Sequence, residues 1–309
     1  MTVLDQIGPE VSKIYVIDDL CPEKTGRYVE ANCRDPRVQV LYHPENRGVG
    51  GATKSGFFKA LNDKMDIVIK IDGDGQMDPR LIPRFVRPIQ KGYADYTKGN
   101  RFYSIELIGQ MPKVRVAGNA VLSFLTKITS GYWNLMDPSN GYVAVHRSVL
   151  SMLPLQKIDD RYFFETDMLF RLNTFRAVVY EVPMEAVYGD EKSNLSILRV
   201  CINFPKKHLV RFFKRLYYNY FLRDFNMCSV ELIAGTVLLG FGTVFGLKHW
   251  YFSITHNIPA TTGTVMLAAL PVILGFQMLL AAVHFDVTNI PNSPLHPFFD
   301  FEDHQKNGR

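Results

Sequence analysis

Hydrophobic and polar positions divide the chain at about residue 200. Before that point, short apolar runs of strand length alternate with amphipathic segments of helical period, and charged residues are spread throughout. From about residue 229 to residue 285 the chain is much more apolar and carries almost no charge. The pattern predicts an α/β domain followed by a part that associates with a membrane.

The first part contains four strand candidates, which are KIYVID (13–18), VQVLYH (38–43), DIVIKID (66–72) and AVVYEVP (177–183). Segments 49–63 and 79–92 have helical spacing. Alternating strands and helices favour a largely parallel sheet, in which ligands bind at the carboxyl ends of the strands. The polar residues that follow the strands are therefore expected to meet at one edge: Asp18, Asp19, Asn46, Asp72 and Asp74.

The apolar part contains two runs, 229–247 and 264–284. A membrane-spanning helix needs roughly 20 apolar residues, and both runs meet that length. Buried core helices are the alternative, but two adjacent runs behind a basic stretch favour spanning. We expect four regions: a catalytic-type domain at 1–200, a basic juxtamembrane segment at 201–228, two spans within 229–285 and a tail at 286–309.

The basic stretch 204–225 alternates cations with large apolar residues at helical spacing. This arrangement is typical of a helix that lies in an anionic lipid interface, although a solvated basic face has the same pattern. The cations precede the first run, whereas Lys248 stands alone in the segment 248–263. The asymmetry places the large domain and the tail on the cytoplasmic side of the inner or plasma membrane, in a multi-pass arrangement.

Composition adds few constraints. The chain has 309 residues, a formal net charge of +5 and four cysteines. The cysteines show no CxxC pairing, which favours a reducing compartment. No basic region followed by an apolar run opens the chain, so we expect no cleavable signal peptide.

The segment IKIDGDGQMDP (69–79) places three carboxylates directly after a strand. A calcium-binding EF-hand loop that began at Asp72 would need glycine and glutamate where Met77 and Pro83 stand. The nearby GVGGAT sequence fails as a dinucleotide fingerprint at Thr53. A Mg²⁺ or Mn²⁺ ion held by Asp74 and Gln76 and completed by a substrate diphosphate fits better than a solvated acidic turn. Asp78 precedes Pro79 and is expected to cap the next helix.

Six motifs occur in an order that resembles the family 2 glycosyltransferases of GT-A fold: VIDD (16–19), NRGVGGATKSGF (46–57), KIDGDGQMDP (70–79), GNRF (99–102), MDPSNGYVAVHR (136–147) and FFETDMLFRL (163–172). The arrangement is most similar to polyprenyl-phosphate hexose synthases, of the dolichyl-phosphate mannose synthase and undecaprenyl-phosphate glucosyltransferase kind. The resemblance implies an α/β, Rossmann-like GT-A domain with a mainly parallel sheet, an interfacial amphipathic helix and two transmembrane helices.

The resemblance also implies roles for single residues, each of which has a structural alternative such as a cap, a turn or helix packing. Three groups would bind the substrates: Asp19, Asn46, Gly50 and Asp72 at the nucleotide, Arg101 and Arg115 at an acceptor phosphate, and Lys192 and Ser193 over the diphosphate or lipid phosphate. Three carboxylates would serve at the transferred sugar or as a base: Asp137, Glu165 and Asp167.

The implied reaction is inverting transfer of a hexose from a UDP- or GDP-sugar to polyprenyl phosphate, undecaprenyl or dolichyl, at the cytoplasmic face. A polyprenyl phosphate is already largely ionised near neutral pH and needs little proton removal. A hydroxyl of a lipid-linked glycan would need a carboxylate base, and this acceptor stays open. We expect membrane lipids as partners, no nucleic acid, and an ability to form a homo-oligomer.

The chain departs from the family at its front, because it begins in what resembles the helix after the usual first strand, so that either the start is truncated or another segment replaces this strand and its base-pocket residues. A membrane-anchored sensor that only binds nucleotide sugars is therefore a second hypothesis, against which the retained Asp72, Asp74 and Gln76 argue. A sugar nucleotidyltransferase is a third. It predicts a glycine-rich loop with Arg or Lys near the N-terminus, which the sequence lacks, and it needs no spans.

Overall fold

The structure, a computed structural model, describes residues 1–104, 109, 113–185 and 197–299, and of 113–115 and 197–203 it describes the backbone alone. The chain divides into two compact units. The larger unit comprises residues 1–212 and 291–309, and the smaller unit comprises residues 213–290.

The larger unit alternates helices and strands along the chain. Its elements are α1 (Thr2–Asp5), β1 (Ile14–Asp18), α2 (Thr25–Asn32), β2 (Val38–Tyr42), α3 (Gly48–Asn62), β3 (Ile67–Lys70), α4 (Ile82–Gln90), β4 (Tyr96–Asn100), α5 (Lys113–Ser130), β5 (Val143–His146), α6 (Arg147–Met152), α7 (Phe164–Phe175), β6 (Val179–Pro183) and α8 (Ile197–Tyr217), which continues past residue 212. Short 3₁₀ turns cover Pro79–Leu81 and Leu155–Lys157.

The strands form two sheets. β1 and β2 make a parallel pair, with Ile14 opposite Val38. The second sheet has the order β3-β5-β4-β6, in which β5 runs antiparallel to both of its neighbours and β4 runs parallel to β6. In the described part of the chain, no strand joins β1 to β3.

Side chains alternate across the second sheet, so that each face has its own core. Val143 and Val145 of β5 pack with residues of α3 and α7 on one face. Tyr142, just before β5, and Ala144 pack with α4 on the other face. The period of two in β5 therefore places helices on both sides of the sheet, as expected for an α/β domain.

Helix α4 shows how the local sequence sets an element. Ile82, Phe85 and Ile89 lie on one face and are buried. Asp78 caps the 3₁₀ turn Pro79–Leu81, which leads into α4: its carboxylate accepts a hydrogen bond from the Arg80 backbone amide at 2.9 Å, so the predicted cap is confirmed at this turn.

The smaller unit is built from α9 (Met227–His256) and α10 (Thr262–Thr288), preceded by a π-helical turn at Tyr218–Arg223. The two long helices approach closely at glycines: a Cβ on Gly235 would lie 3.0 Å from the Gly275 carbonyl oxygen. At one end, the Arg215 guanidinium binds both oxygens of Asp286 at 2.5 and 2.9 Å, and Tyr220 donates to the same carboxylate. Both helices are long and apolar enough to cross a membrane.

The helices of the smaller unit are longer than the two predicted apolar runs. α9 continues to His256, so Lys248 lies on the helix and the connecting segment shortens to 257–261. The tail residues that follow α10 return to the larger unit, where the backbone amides of Leu295 and His296 donate to buried Asp95.

Candidate functional site

The acidic loop of residues 72–78 begins where β3 ends. Asp74 is exposed, and one of its oxygens accepts a hydrogen bond from the Gln76 amide at 2.9 Å. Gly75 has a φ of +76°, a left-handed conformation that glycine adopts without strain and that turns the loop back on itself. The Asp72 side chain is 34% exposed, so the loop presents two carboxylates to solvent.

A buried lysine lies directly beneath this loop. The Lys70 ammonium is 2.8 Å from Asp72 Oδ1 and 3.8 Å from Glu165 Oε1, and the lysine side chain is only 9% exposed. Burial alone would lower the pKa of Lys70, but the two carboxylates outweigh it and its pKa is raised. A Cβ on Gly141 would lie 2.5 Å from the same ammonium and 2.8 Å from Asp72 Oδ2, so a side chain at this position would displace the pair. Lys70 therefore sets the position of Asp72.

A second lysine, Lys98 on β4, is fully buried and donates to the Asn140 carbonyl. Burial lowers its pKa to about 8, against the opposing effect of Glu165 and Asp137. Burial also raises the pKa of Glu165, while Lys70 and Lys98 act to lower it. Two buried cations thus act on the Glu165 carboxylate.

Arg101 and Asp137 form an ion pair whose charges both act on Lys98. The guanidinium binds the Asp137 carboxylate in a bidentate manner, at 2.7 and 2.9 Å, and the Arg101 amide donates to it at 3.1 Å. Asp137 is fully buried. Glu181 of β6 accepts the amides of Met136 and Asp137 at 2.8 Å each. The turn that carries Asp137 is therefore fixed from both sides.

Asp19 follows β1 and organises the loop of residues 46–48. Its oxygens accept the amides of Arg47 at 2.9 Å and Gly48 at 2.7 Å, and share a hydrogen bond with His43. Burial alone would raise the pKa of Asp19, but these hydrogen bonds outweigh it, so its pKa lies below the usual carboxyl value. The Asn46 side chain donates to the Asp19 carbonyl at 3.1 Å. Asp19 and Asn46, two of the four predicted nucleotide contacts, are thus brought together just before α3, whereas Asp72 lies against Lys70.

Gly50 and Asp167 have close neighbours within the protein. A side chain at Gly50 would strike the Asp159 carbonyl oxygen. Asp167 is fully buried and accepts hydrogen bonds from Arg211 at 2.7 Å and from the Asp159 amide at 3.0 Å. The roles predicted for these two residues stay predictions.

Three other predicted residues lie wholly or partly outside the described part of the chain. Arg115 lies on α5, and its side chain is among those that the structure does not describe. Lys192 and Ser193 belong to segment 186–196, which lies outside the described residues.

The acidic loop fits a metal that arrives with its substrate. Among the described residues, no group of three or more His, Cys, Asp or Glu side chains could hold an ion alone. Asp74 and Gln76 offer oxygen ligands, which Mg²⁺ and Mn²⁺ prefer, and Mg²⁺ is commonly bound by one or two carboxylates with phosphate oxygens completing the shell. The donor set is therefore of the right chemistry but incomplete without a diphosphate.

Sequence reasoning missed three residues that shape the site, namely Lys70, Lys98 and Glu181. All three lie in strands, where alternation alone treats a charged residue as solvent-facing. Only Lys70 carried a signal in the sequence, because it ends β3 two positions before Asp72, whereas Lys98 and Glu181 lie in the middle of β4 and β6.

Comparison with known proteins gives three findings. The model of glycosyl transferase family 2 matches residues 2–153. The UDP-N-acetylglucosamine–dolichyl-phosphate N-acetylglucosaminyltransferase of Methanococcus voltae is 32% identical over 154 residues, which cover 50% of this chain and only 61% of that relative. The undecaprenyl-phosphate mannosyltransferase of Micrococcus luteus is 30% identical over 192 residues, which cover 60% of this chain and 78% of that relative.

One solved structure with a similar fold is the glucosyl-3-phosphoglycerate synthase of Mycobacterium tuberculosis in complex with Mn²⁺, uridine diphosphate and glucosyl-3-phosphoglycerate. It is 20% identical, with a TM-score of 0.49, and the match covers 69% of this chain and 74% of that chain.

The larger unit belongs to the class of α/β domains, and its carboxylates Asp72 and Asp74 directly follow β3, where ligands bind in such domains. Because the match to the Micrococcus relative is 30% identical and covers 78% of that relative, the chain belongs to the family 2 glycosyltransferases. The predicted family, the enzyme class and the α/β GT-A fold are confirmed. The sheet itself is mixed, because β5 inserts antiparallel between β3 and β4.

Proposed function

We propose that the protein transfers a hexose, with inversion, from a UDP- or GDP-sugar to a polyprenyl phosphate at the cytoplasmic membrane face. The observation that carries the proposal is the solvent-open pair Asp72 and Asp74 at the end of β3, held above the buried Lys70. Such a pair, in a chain of this family, suits a donor that brings a diphosphate and a divalent ion together. The relatives named for dolichyl-phosphate and undecaprenyl-phosphate transfer support the lipid acceptor.

In this proposal Asp74 and Gln76 hold Mg²⁺ or Mn²⁺. When bound, the ion supplies Lewis-acid stabilisation of the charge that grows on the departing nucleoside diphosphate. Asp72, fixed by Lys70, contacts the ribose, while Asp19 and Asn46 order the loop that receives the nucleotide, of which Gly50 forms part. Lys192 and Ser193 close over the phosphates.

The acceptor phosphate would be held by Arg101 and Arg115. Guanidinium groups suit this task because their planar fork binds phosphate in a bidentate manner. Arg101 is anchored to buried Asp137, so its orientation is set before the acceptor arrives. Asp137 acts here by orienting Arg101 beside the transferred sugar.

A second candidate function is transfer to a hydroxyl of a lipid-linked glycan. The raised pKa of Glu165 favours it, because a general base works best with a pKa near the operating pH. Asp167 is the other carboxylate proposed as a base, although it is already bound by Arg211.

The proposal includes the membrane arrangement. In each of the two long helices, only 11% of the most apolar stretch is buried within the protein. Surfaces so large and apolar call for lipid or another chain as a partner. We therefore propose two spans within 229–285, a cytoplasmic domain at 1–200, an interfacial segment at 201–228, a cytoplasmic tail at 286–309, and assembly of copies in the bilayer.

The test incubates the purified protein with radiolabelled UDP- and GDP-sugars, Mn²⁺ or Mg²⁺, and polyprenyl phosphate. Label that moves into the organic phase with one donor identifies both reaction and donor. Chelation of the metal should abolish transfer, and Asp74→Ala should lower kcat/KM by at least about a hundredfold, the scale expected when a transition-state charge loses its counter-ion. Full activity of Asp74→Ala would refute the proposal that Asp74 binds the metal ion.

A further inference from the structure

Residues 158–161, called here the bridging loop, lie between the start of α3 and helix α8. On the α3 side, the Gly51 amide donates to the Asp160 carbonyl at 3.0 Å. The Lys54 ammonium binds the Ile158 carbonyl at 2.8 Å and the Asp160 carboxylate at 2.5 Å, and its side chain is only 5% exposed. The bridging loop is therefore fastened to the first turns of α3.

The bridging loop also holds the segment just before α3. The Arg161 guanidinium donates to the Asn46 side-chain oxygen at 2.8 Å and to the Asn46 carbonyl at 3.3 Å. At Gly48 and Gly50, an added Cβ would clash with the backbone of residues 159 and 160. These glycines thus allow the bridging loop to pack directly against residues 46–51, where we place the nucleotide.

On its other side, the bridging loop is held by two cations of α8. The Lys207 ammonium lies 2.5 Å from Asp159 Oδ2. The Arg211 guanidinium lies 2.7 Å from Asp167 Oδ1, and the other oxygen of Asp167 accepts the Asp159 amide at 3.0 Å. All of these residues belong to the larger unit.

We propose that Lys207 and Arg211 are positioning residues for the donor site, acting through the bridging loop on residues 46–51. A loop that is fixed before the donor binds spends less conformational entropy on binding. Asp167 is fully buried, and Arg211 at 2.7 Å is a closer cation partner than Arg171 at 3.7 Å, so α8 helps to orient the carboxylate that accepts the Asp159 amide. The basic helix therefore has a second task besides any contact with lipid. This inference rests on the proposed function, since it takes residues 46–51 as part of the donor site.

The test compares Lys207→Met with Lys206→Met in the full-length protein in detergent. Lys206 is exposed and is one residue away on the same helix, so its variant removes the same charge without breaking the contact with Asp159. The measurements are kcat, KM for the donor, and the Kd of UDP and GDP in the presence of Mn²⁺. We expect Lys207→Met to raise KM and Kd by about three- to tenfold with kcat changed less than twofold, a size typical of one partly exposed ion pair that also orders a loop. Lys206→Met should leave the nucleotide Kd within about twofold of the wild-type value.

A second variant separates positioning from general damage. Asp159→Asn should raise the nucleotide Kd as Lys207→Met does, and the double variant should be no worse than either single one, because both remove the same contact. The inference is overturned if Lys207→Met and Lys206→Met give the same Kd, if the two single effects add in full, or if the wild-type protein binds neither nucleotide.

The two proposals can fail separately. Nucleotide binding that depends on Lys207, with no transfer to polyprenyl phosphate or glycan from any donor, would support the positioning role and refute the proposed reaction. Transfer that proceeds normally in Lys207→Met, with donor KM unchanged, would refute the positioning role alone.

Discussion

The Glu165 carboxylate feels the charge of two buried ammonium groups, and that environment limits what it can do. Lys70 is 3.8 Å away, and the nearby charge of Lys98 also favours the ionised carboxylate. Removal of either lysine would leave Glu165 with less compensation in a poorly solvated position. Glu165 can therefore serve as a counter-ion, as a base, or as both, and the acceptor decides whether a base is required.

Glu165→Gln distinguishes the two acceptors. With polyprenyl phosphate, which is already ionised, the variant should keep at least about a tenth of wild-type kcat, because no proton has to be removed. With a glycan hydroxyl, loss of the base should lower kcat by about a hundredfold or more. The measurement is initial rate with each acceptor at saturating donor.

Glu185→Gln, an exposed position in the same unit, is the control for this experiment. A loss of more than about a hundredfold with polyprenyl phosphate as acceptor would contradict the counter-ion role and make Glu165 essential to the chemistry.

Lys98 should make stability depend on pH in the alkaline range. Its folded pKa of about 8 lies below the ordinary lysine value of 10.5. Between these values the unfolded chain binds more protons, so the contribution of Lys98 to the free energy of unfolding rises as pH increases through the window. Below pH 8 the folded protein carries the full cost of a buried ammonium.

The measurement for Lys98 is the difference in Tm between wild-type protein and Lys98→Met from pH 7.5 to 9.5. As pH rises, the free energy of unfolding of the wild type should increase relative to that of the variant, by up to about 1.4 kcal/mol per pH unit, and its Tm should increase accordingly. A difference in Tm that stays constant over the window would show that the burial of Lys98 does not shift its titration.

Prediction from sequence succeeded at residues whose chemistry is local and failed at buried charges. Asp78 could be assigned as a cap because the Asp-Pro pair encodes its own hydrogen bond. Lys98 and Glu181 could not be assigned, because their partners lie 42 and 44 positions away along the chain, at Asn140 and Asp137. Only the folded sheet brings such charges together.

At the scale of elements, the four predicted strands, β1, β2, β3 and β6, are present, whereas β4 and β5 were missed. β4 reads YTKGN, a sequence with low strand propensity that is nevertheless buried at every position. β5 has only four residues, Val143–His146, and lies inside the motif of residues 136–147. β4 and β5 form because they pair with each other and with β6 and β3, and the local sequence pattern does not contain these tertiary contacts.

Asp95 connects three elements of the larger unit. It accepts hydrogen bonds from the amides of Val178, Leu295 and His296, and shares one with the His296 ring. Burial alone would raise the pKa of Asp95, but these bonds outweigh it and hold its pKa below the usual carboxyl value. Its stabilising contribution is therefore present above the unfolded pKa of about 3.9 and is lost as pH falls through the folded value.

Asp95→Asn should destabilise the larger unit by about 2–4 kcal/mol, because an amide cannot accept from all of these donors. It should also release residues 295–299, which chymotrypsin can then cut at Phe298 or Phe299. Thermal unfolding and limited proteolysis at pH 7 measure the two effects. Asp66→Asn is the control, because the Asp66 side chain is 82% exposed. Unchanged proteolysis at the tail would show that Asp95 does not hold it.

At the scale of the whole molecule, composition alone located the two apolar helices, because length and hydropathy are properties of a segment and need no tertiary information. Composition did not set their ends, since α9 runs on through His249, Trp250 and Tyr251 to His256. Composition also gave no sign of the ion pair between Arg215 and Asp286. The two residues are 71 positions apart, and Asp286 lies in the apolar helix α10. Of six cations in the basic stretch, Lys207, Arg211 and Arg215 bind carboxylates of the protein.

The proposed topology makes a prediction that concerns the entire chain. The connecting segment 257–261 contains no Lys or Arg, whereas α8 carries many, so the positive-inside rule places the segment outside and the larger unit in the cytoplasm. In a variant with the four native cysteines replaced, Ala260→Cys should react with a membrane-impermeant maleimide in intact cells. Asp66→Cys, equally exposed but on the larger unit, should react only after permeabilisation. Both positions labelled in intact cells, or both protected, would contradict two spans with a cytoplasmic domain, whatever the donor and acceptor prove to be.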